Sequence, residues 1–185
     1  MSFGVTLDAC VIYPISLCDL LLRLADAGLY RPAWSERILD EVQRNLGARI
    51  GDPAAKRRLD FMREYFEDAD HDGSPFLASV PDCLDGGDKH VVATALASKS
   101  DVVVTSNVSD MPSDCLAHVG LDVQTPDEFL LFQATLAPEV VLRVLREMSA
   151  DLSNPPRTPE EIVEGLSIQA PDFANLATQL LDRVS

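Results

Sequence analysis

Short apolar segments alternate with helical segments along most of the chain. Gly4-Val5-Thr6-Leu7 predicts a strand, and Val102-Val103-Val104 is an all-apolar run typical of a parallel strand covered on both faces. Phe76–Val80 and Leu121–Val123 predict further short strands. Strands that alternate with helices predict an α/β fold with a mostly parallel central sheet.

Helix starts and ends are marked by local signals. Pro14 opens a helical stretch that Gly28 ends, and Ser35 predicts the N-cap of a helix through Leu46. After about Pro138 only helices are predicted, so we expect a main domain over 1–135 and a helical extension over 136–185. Further helices are predicted at Ala54–Phe66 and Asp85–Lys99, and capping boxes at Thr125–Glu128 and Thr158–Glu161, with breaks at Gly47 and Gly51.

The composition, with 46% hydrophobic and 24% charged residues, is typical of a soluble globular protein. No segment approaches the roughly 18 consecutive apolar residues that a membrane helix needs, and the N-terminus has no basic region before an apolar one. The four cysteines are widely spaced and complete no zinc pattern with the three histidines. We therefore expect no membrane association, a cytoplasmic location and four reduced thiols.

Charge is distributed unevenly along the chain. The formal net charge of −15 argues against nucleic acid as a partner, but residues 31–63 hold eight basic and five acidic residues, a net charge of +3. This basic segment, which includes Lys56, Arg57 and Arg58, fits either an ordinary solvated helical surface or a local contact with an RNA backbone.

Four carboxylates stand out by position. Asp8 directly follows the first strand and Asp110 follows the Val102–Val104 strand, and sites in open α/β sheets form beyond the carboxyl ends of strands. Asp88 lies near the centre of an apolar helical stripe, where it is either a metal ligand or a capping partner of Asp85. Glu41 flanks another stripe and on its own predicts a surface carboxylate.

Clustered carboxylates repel one another without a metal and bind hard cations such as Mg²⁺ or Mn²⁺. A cation held in this way can orient a water, lower its pKa and stabilise charge on a phosphate. The sequence alone does not show that the four acids meet in space.

Four segments around these acids resemble motifs of the PIN-domain family, and within it the VapC-type toxins. The segments are LDACVIYP at 7–14, WSERILDEVQRNL at 34–46, DKHVVATAL at 88–96 and VVTSNVSDMP at 103–112, and the resemblance covers about residues 3–135. Cys10 stands where many members carry Asn or Ser.

The resemblance implies a three-layer PIN-like fold and a Mg²⁺- or Mn²⁺-dependent endoribonuclease. Asp8, Glu41, Asp88 and Asp110 would be its catalytic and metal-binding residues, supported by Thr105 and Asn107. It further implies an RNA substrate and a small cognate antitoxin. The apolar stripes of the extension must be buried against either the main domain or a second copy, so a homodimer is possible.

Other functions remain open. A PIN nuclease in housekeeping RNA processing and a catalytically silent PIN interaction module are both alternatives, although all four acids are present. A haloacid-dehalogenase-like phosphatase would need a second Asp two residues after the first, where this chain has Cys10.

Overall fold

The computed structural model describes residues 3–183, which group into two compact units. The first unit comprises residues 3–13 and 30–124, and the second comprises residues 14–29 and 125–183. The division at 135/136 stays a prediction, and Met1, Ser2, Val184 and Ser185, at the ends of the two predicted domains, lie outside the described residues.

The strands are β1 (Gly4–Leu7), β2 (Arg31–Ala33), β3 (Val102–Val104) and β4 (Asp122–Gln124). The helices are α1 (Ala9–Ile12), α2 (Ile15–Asp26), α3 (Glu36–Ile50), α4 (Asp52–Tyr65), α5 (Lys89–Ser98), α6 (Ser113–Ala117), α7 (Pro126–Leu136), α8 (Pro138–Asp151), α9 (Pro159–Leu166) and α10 (Pro171–Asp182).

The sheet of the first unit has four parallel strands in the order β2-β1-β3-β4. Every residue of β1 and β3 is buried, as expected for central parallel strands. The chain runs outward from β1 to β2 on one side and from β3 to β4 on the other. The strand order therefore reverses between β1 and β3, where α/β folds place their sites.

Several boundaries differ from those predicted. The strand predicted at Phe76–Val80 is wrong, because Ser74–Ser79 forms a 3-10 helix whose apolar residues are largely exposed. The sequence does not predict the edge strand β2, since Arg-Pro-Ala lacks β-branched residues and its proline is tolerated only at an edge. The break predicted at Gly47 is also wrong, because α3 continues through it to Ile50.

The second unit is a group of five helices, α2 and α7–α10. Their apolar faces are buried against one another: α2 packs on α8 and α9, and α10 packs on α7, α8 and α9. Both capping boxes are confirmed, since the side chains of Thr125 and Thr158 accept from the backbone N–H of Glu128 and Glu161. The predicted α/β fold, with a parallel sheet and C-terminal helices, is thereby confirmed.

Asp127, which lies on α7, provides the side-chain cap for the N-terminus of α10. The Asp127 carboxylate accepts the backbone N–H groups of Asp172 (3.2 Å) and Phe173 (2.8 Å), and α10 has no cap of its own. We expect Asp127→Ala to lower the free energy of unfolding by about 1–2 kcal/mol, as for other N-caps that are removed. Urea unfolding measures this, and Asp127→Asn, which keeps one acceptor oxygen, should lose less. An Asp127→Ala protein that unfolds at the wild-type midpoint would contradict the capping role.

The prediction of four reduced thiols is wrong for two of them. Cys83 and Cys115 are joined by a disulfide, with Cα atoms 6.5 Å apart, whereas Cys10 and Cys18 are free. The fold brings the two sulfurs together across 32 residues of sequence, a separation that no local cysteine motif reveals. Within the described residues, no helix is long and apolar enough to cross a membrane.

Candidate active site

The candidate site lies at the carboxyl ends of β1 and β3. Leu7 pairs with Val104 in the register of the two strands, so Asp8 and Thr105, the next residues, emerge side by side. A backbone hydrogen bond from Asp8 N to Val104 O (3.1 Å) continues the pairing. The first predicted acid therefore stands at the point where the strand order reverses.

Asp8 is only 7% exposed, and both of its carboxylate oxygens are hydrogen-bonded. Oδ1 accepts the backbone N–H of Ala9 (2.6 Å) and caps α1, while Oδ2 accepts the Thr105 hydroxyl (2.7 Å). The Thr105 oxygen in turn accepts the backbone N–H of Asn107 (3.0 Å). The two predicted supporting residues thus form a chain behind Asp8, in which Asn107 takes part through its backbone.

Cys10 completes the surroundings of Asp8. Its Sγ donates to Asp8 Oδ2 (3.2 Å) and accepts the backbone N–H of Ser106 (3.2 Å). Burial, and then the negative charge of Asp8, raise the pKa of the Cys10 thiol to about 11. The thiol is therefore protonated at neutral pH and serves as a hydrogen-bond donor to Asp8.

Asp88 and Asp110 approach Asp8 closely enough to interact electrostatically. Burial raises the pKa of the Asp88 carboxyl, and the charges of Asp110 and Asp8 raise it further. His90 opposes this shift in the pKa of Asp88, and Asp85 adds to it. Asp88 occupies the N-cap position of α5, but its side chain makes no capping hydrogen bond. The alternative that Asp88 is a structural cap therefore finds no support in its contacts.

Glu41 is linked to Asp88 by His90, which faces Glu41 and also acts on the pKa of Asp88. Its Oε2 lies 3.9 Å from His90 Nε2, and its side chain is 42% exposed. His90 is a site residue that sequence reasoning missed, because the three histidines of the chain were weighed only as zinc ligands. A titratable ring in the first turn of an otherwise apolar helix was the signal that pointed to it. Asp114, in the first turn of α6, is not among the charges that shift the pKa of Asp88.

The donor chemistry of the site fits a hard divalent cation. Carboxylate oxygens are the ligands that Mg²⁺ and Mn²⁺ prefer. Burial is the largest cause of the raised pKa of Asp88, and the charges of Asp110 and Asp8, which a cation would offset, add to it. As the side chains stand, no three His, Cys, Asp or Glu residues within 3–183 are arranged closely enough to hold a metal ion.

The basic segment divides into fixed and exposed side chains. Arg58 donates to the backbone carbonyls of Ile12 (2.7 Å) and Tyr13 (3.3 Å), so its guanidinium ties α4 to the end of α1. Lys56 is exposed and pairs with Asp60 (2.7 Å), and Arg57 is exposed. Of the three residues, Lys56 and Arg57 are therefore the ones accessible to a ligand.

Comparison with known proteins agrees with this architecture. A family model described as "PIN domain" matches residues 4–109, and one described as "VapC50 C-terminal domain" matches residues 126–179. A protein of Mycobacterium tuberculosis (strain ATCC 25618 / H37Rv) named "Putative ribonuclease VapC50" is 36% identical over 93 residues, which cover 50% of this chain and 55% of that protein. The match thus spans about half the length of the relative, and no solved structure matches.

The resemblance to VapC-type proteins is confirmed by these matches. The matched PIN segment makes up more than half of the 185 residues and carries Asp8, Glu41 and Asp88. The chain therefore belongs to the PIN-domain family.

Proposed function

We propose that this protein is a Mg²⁺- or Mn²⁺-dependent endoribonuclease that acts in the cytoplasm as the toxin of a toxin–antitoxin pair. The observation that carries the proposal is the approach of Asp8, Asp88 and Asp110 at the reversal of strand order, where burial and then the charges of Asp110 and Asp8 raise the pKa of Asp88. The name of the matched M. tuberculosis protein, a ribonuclease, supports the same activity. Its biological role requires a small cognate antitoxin as partner.

The three aspartates and Glu41 would hold the cation. A divalent ion bound there supplies the positive charge that activates a water and stabilises the developing charge on the phosphate. Thr105 and Cys10 hold one oxygen of Asp8 in a fixed orientation from behind. Such supporting contacts keep a ligand in position, and their removal typically lowers metal affinity or activity 10- to 100-fold.

Glu41 lies on α3, and His90 lies on α5, two residues after Asp88. The His90 ring is fixed because its Nδ1 donates to the Gly87 carbonyl (2.7 Å), and Nε2 faces the Glu41 carboxylate. The Glu41 side chain is 42% exposed, so its carboxylate is accessible to solvent and suited to accept a proton from a water on the phosphate side.

The products of cleavage test the mechanism. Attack on phosphorus by water leaves a 3′-hydroxyl and a 5′-phosphate, whereas attack by the RNA's own 2′-hydroxyl leaves a 2′,3′-cyclic phosphate. We expect the former ends, analysed by mass spectrometry of a short RNA. EDTA should abolish cleavage, and added Mg²⁺ or Mn²⁺ should restore it. Cyclic phosphate ends, or full activity in EDTA, would overturn the proposal.

The exposed basic residues are expected to contact RNA phosphates. The double variant Lys56→Ala/Arg57→Ala should bind all single-stranded RNA sequences more weakly, and the slope of log K against log salt should flatten by about 0.7 for each phosphate that is no longer bound. Fluorescence anisotropy at several salt concentrations measures the slope. Arg143→Ala/Arg146→Ala on α8 is the matched control, since Arg143 pairs with Glu147 as Lys56 pairs with Asp60. An unchanged slope in the Lys56→Ala/Arg57→Ala variant would show that this segment is an ordinary solvated surface that does not contact RNA.

A further inference from the structure

The disulfide between Cys83 and Cys115 joins the two segments of the first unit that carry Asp88 and Asp110. Cys83 lies five residues before Asp88, in the segment 81–88 that leads into α5. Cys115 lies on α6, five residues after Asp110. The bond therefore limits how far apart the segments of these two acids can move.

The segment that contains Cys83 is loosely packed. Residues 81–88 form turns without a helix or a strand, and Leu84 is the one buried residue among them. A Cβ added at Gly86 or Gly87 would meet no atom within 4 Å, so the backbone between Leu84 and α5 has open space around it. Packing alone therefore restrains this part of the chain weakly.

The ion pair of this segment does not connect it to α6. The Asp82 carboxylate pairs with Lys89 Nζ (3.3 Å) at the start of α5. The Asp82 side chain is fully exposed, and ion pairs of exposed groups contribute little to stability. The covalent bond from Cys83 to Cys115 is therefore the strong link between the segment and α6.

The disulfide is accessible to small thiols. Cys83 is exposed and Cys115 is half-buried, whereas the free Cys18 is buried. Exchange requires direct attack of a thiolate on one sulfur, so exposed disulfides are the ones that cellular thiols can reduce. In a reducing cytoplasm, disulfides are rare and are typically transient or redox-sensing. For the cytoplasmic protein proposed above, this bond therefore fits a reversible role.

Repulsion between carboxylates explains how the bond would affect the site. The charges of Asp88 and Asp110 act on each other, and without a cation they favour separation of the two segments. With the bond closed, a cation meets ligands that are already close together. With the bond open, the loose segment must also be drawn in, and the apparent affinity falls with the fraction of molecules in the binding-competent arrangement.

We propose that Cys83 and Cys115 form a thiol–disulfide switch, which raises the affinity of the candidate site for its divalent cation when the bond is closed. A small disulfide such as oxidised glutathione closes the bond. The Cys83 thiolate attacks one of its sulfurs, forms a mixed disulfide and releases one thiolate, and the Cys115 thiolate then attacks the Cys83 sulfur and releases the second. The two protein thiols lose two protons and two electrons, and the small disulfide becomes two thiols. The inference rests on the proposed nuclease function, because it requires the metal site.

Binding of Mn²⁺ to the full chain tests the switch without cleavage. The protein is treated with oxidised or reduced glutathione, the reagents are removed, and Mn²⁺ is titrated by isothermal calorimetry. We expect the oxidised form to bind Mn²⁺ about tenfold more tightly, as for other contacts that position metal ligands. Cys83→Ser/Cys115→Ser should bind Mn²⁺ as the reduced wild type does. Redox treatment of this variant should change nothing, which excludes effects of Cys10 and Cys18.

A purely structural disulfide predicts different results. It would stabilise the fold equally in EDTA and in Mn²⁺, so reduction would lower both melting temperatures alike and leave the Mn²⁺ affinity unchanged. Mass spectrometry of alkylated peptides shows which cysteines are free. We expect the native protein to lose the bond in a glutathione buffer as reducing as that of the cytoplasm. A bond that persists there, or equal Mn²⁺ affinities of the two redox forms, would overturn the switch.

Cleavage assays separate failure of the switch from failure of the nuclease function. Under the proposal, the oxidised form cleaves RNA faster at low Mn²⁺, and the two forms cleave at the same rate when Mn²⁺ is saturating. Equal Mn²⁺ affinities in a protein that cleaves RNA would overturn the switch alone. Affinities that differ as expected, in a protein that cleaves no RNA in either form, would support the switch and overturn the nuclease function. If neither form bound Mn²⁺, both proposals would be wrong.

Discussion

Replacing Asp110 by Asn is expected to abolish RNA cleavage and to leave the metal-free protein at least as stable as wild type. Burial, and then the charge of Asp110, raise the pKa of Asp88, so the ionised form of Asp88 opposes folding at neutral pH. Removing that charge relieves the repulsion. The same relief follows in metal-free wild type as the pH falls, because a carboxyl with a raised pKa binds its proton more tightly in the folded state. Expressed alone in cells, wild type should arrest growth and Asp110→Asn should not.

Added metal should make the wild type more stable than the Asp110→Asn variant, the reverse of the order expected without metal. A cation at about 100 times its Kd stabilises the folded state by roughly 2.7 kcal/mol, a melting shift on the order of 5–10 °C for a chain of this size. Wild type should show this shift with Mn²⁺ relative to EDTA, and Asp88→Asn and Asp110→Asn should lose most of it. Asp114→Asn is the matched control, since Asp114 is an exposed carboxylate on α6, whereas the carboxylates that raise the pKa of Asp88 are Asp110, Asp8 and Asp85. If both site variants kept the wild-type shift, the carboxylates would not form a metal site.

Truncation after Asn154 is expected to unfold the second unit. It removes α9 and α10, whose buried large apolar side chains are Ile162, Val163, Leu166, Phe173 and Leu181. At about 1.5–3 kcal/mol for each side chain, the burial that is removed is comparable to the whole stability of a typical domain, about 5–15 kcal/mol. The apolar faces of α2, α7 and α8 then become exposed. Binding of a hydrophobic dye and loss of the cooperative melting transition measure this.

A single substitution tests the contribution of α10 to stability without shortening the protein. Phe173→Ala should lower the free energy of unfolding by about 3–5 kcal/mol, because this ring is fully buried. Ile168→Ala, at a side chain that is 86% exposed, should change stability little. Light scattering gives the mass of each protein and tests the predicted homodimer. A truncated protein with an unchanged melting temperature and an unchanged number of subunits would show that the C-terminal helices stabilise nothing else.

Elements with local signals were predictable from the sequence. β1 and β3 are short apolar runs, and the two capping boxes at Thr125 and Thr158 need only four residues each. The 3-10 helix at Ser74–Ser79 was not predictable in this way. Its Phe-Leu-Ala-Ser sequence fits a strand, and only the close packing of Gly73 on α5 determines its path.

The candidate site was predictable only in part. Asp8 and Asp110 follow strands of a parallel sheet, so topology alone brings them to one edge. Two other contacts depend on the paths of loops, and sequence spacing does not predict those paths. They are the hydrogen bond from Cys10 to Asp8 and the disulfide between Cys83 and Cys115. The approach of His90 Nε2 to Glu41, which links α5 to α3, is likewise visible only in the structure.

The second unit is assembled from the two ends of the chain, and this affects how the protein is made. α2 is complete at Asp26, but α8 and α9, which cover its leucines, end at Asp151 and Leu166. At a ribosomal rate of about 5–20 residues per second, the interval between the synthesis of α2 and that of α9 is roughly 7–30 s. During that interval the nascent chain presents an uncovered apolar helix near its beginning. Incomplete translation products of this gene are therefore expected to aggregate, and full-length synthesis should depend on chaperones that bind nascent chains.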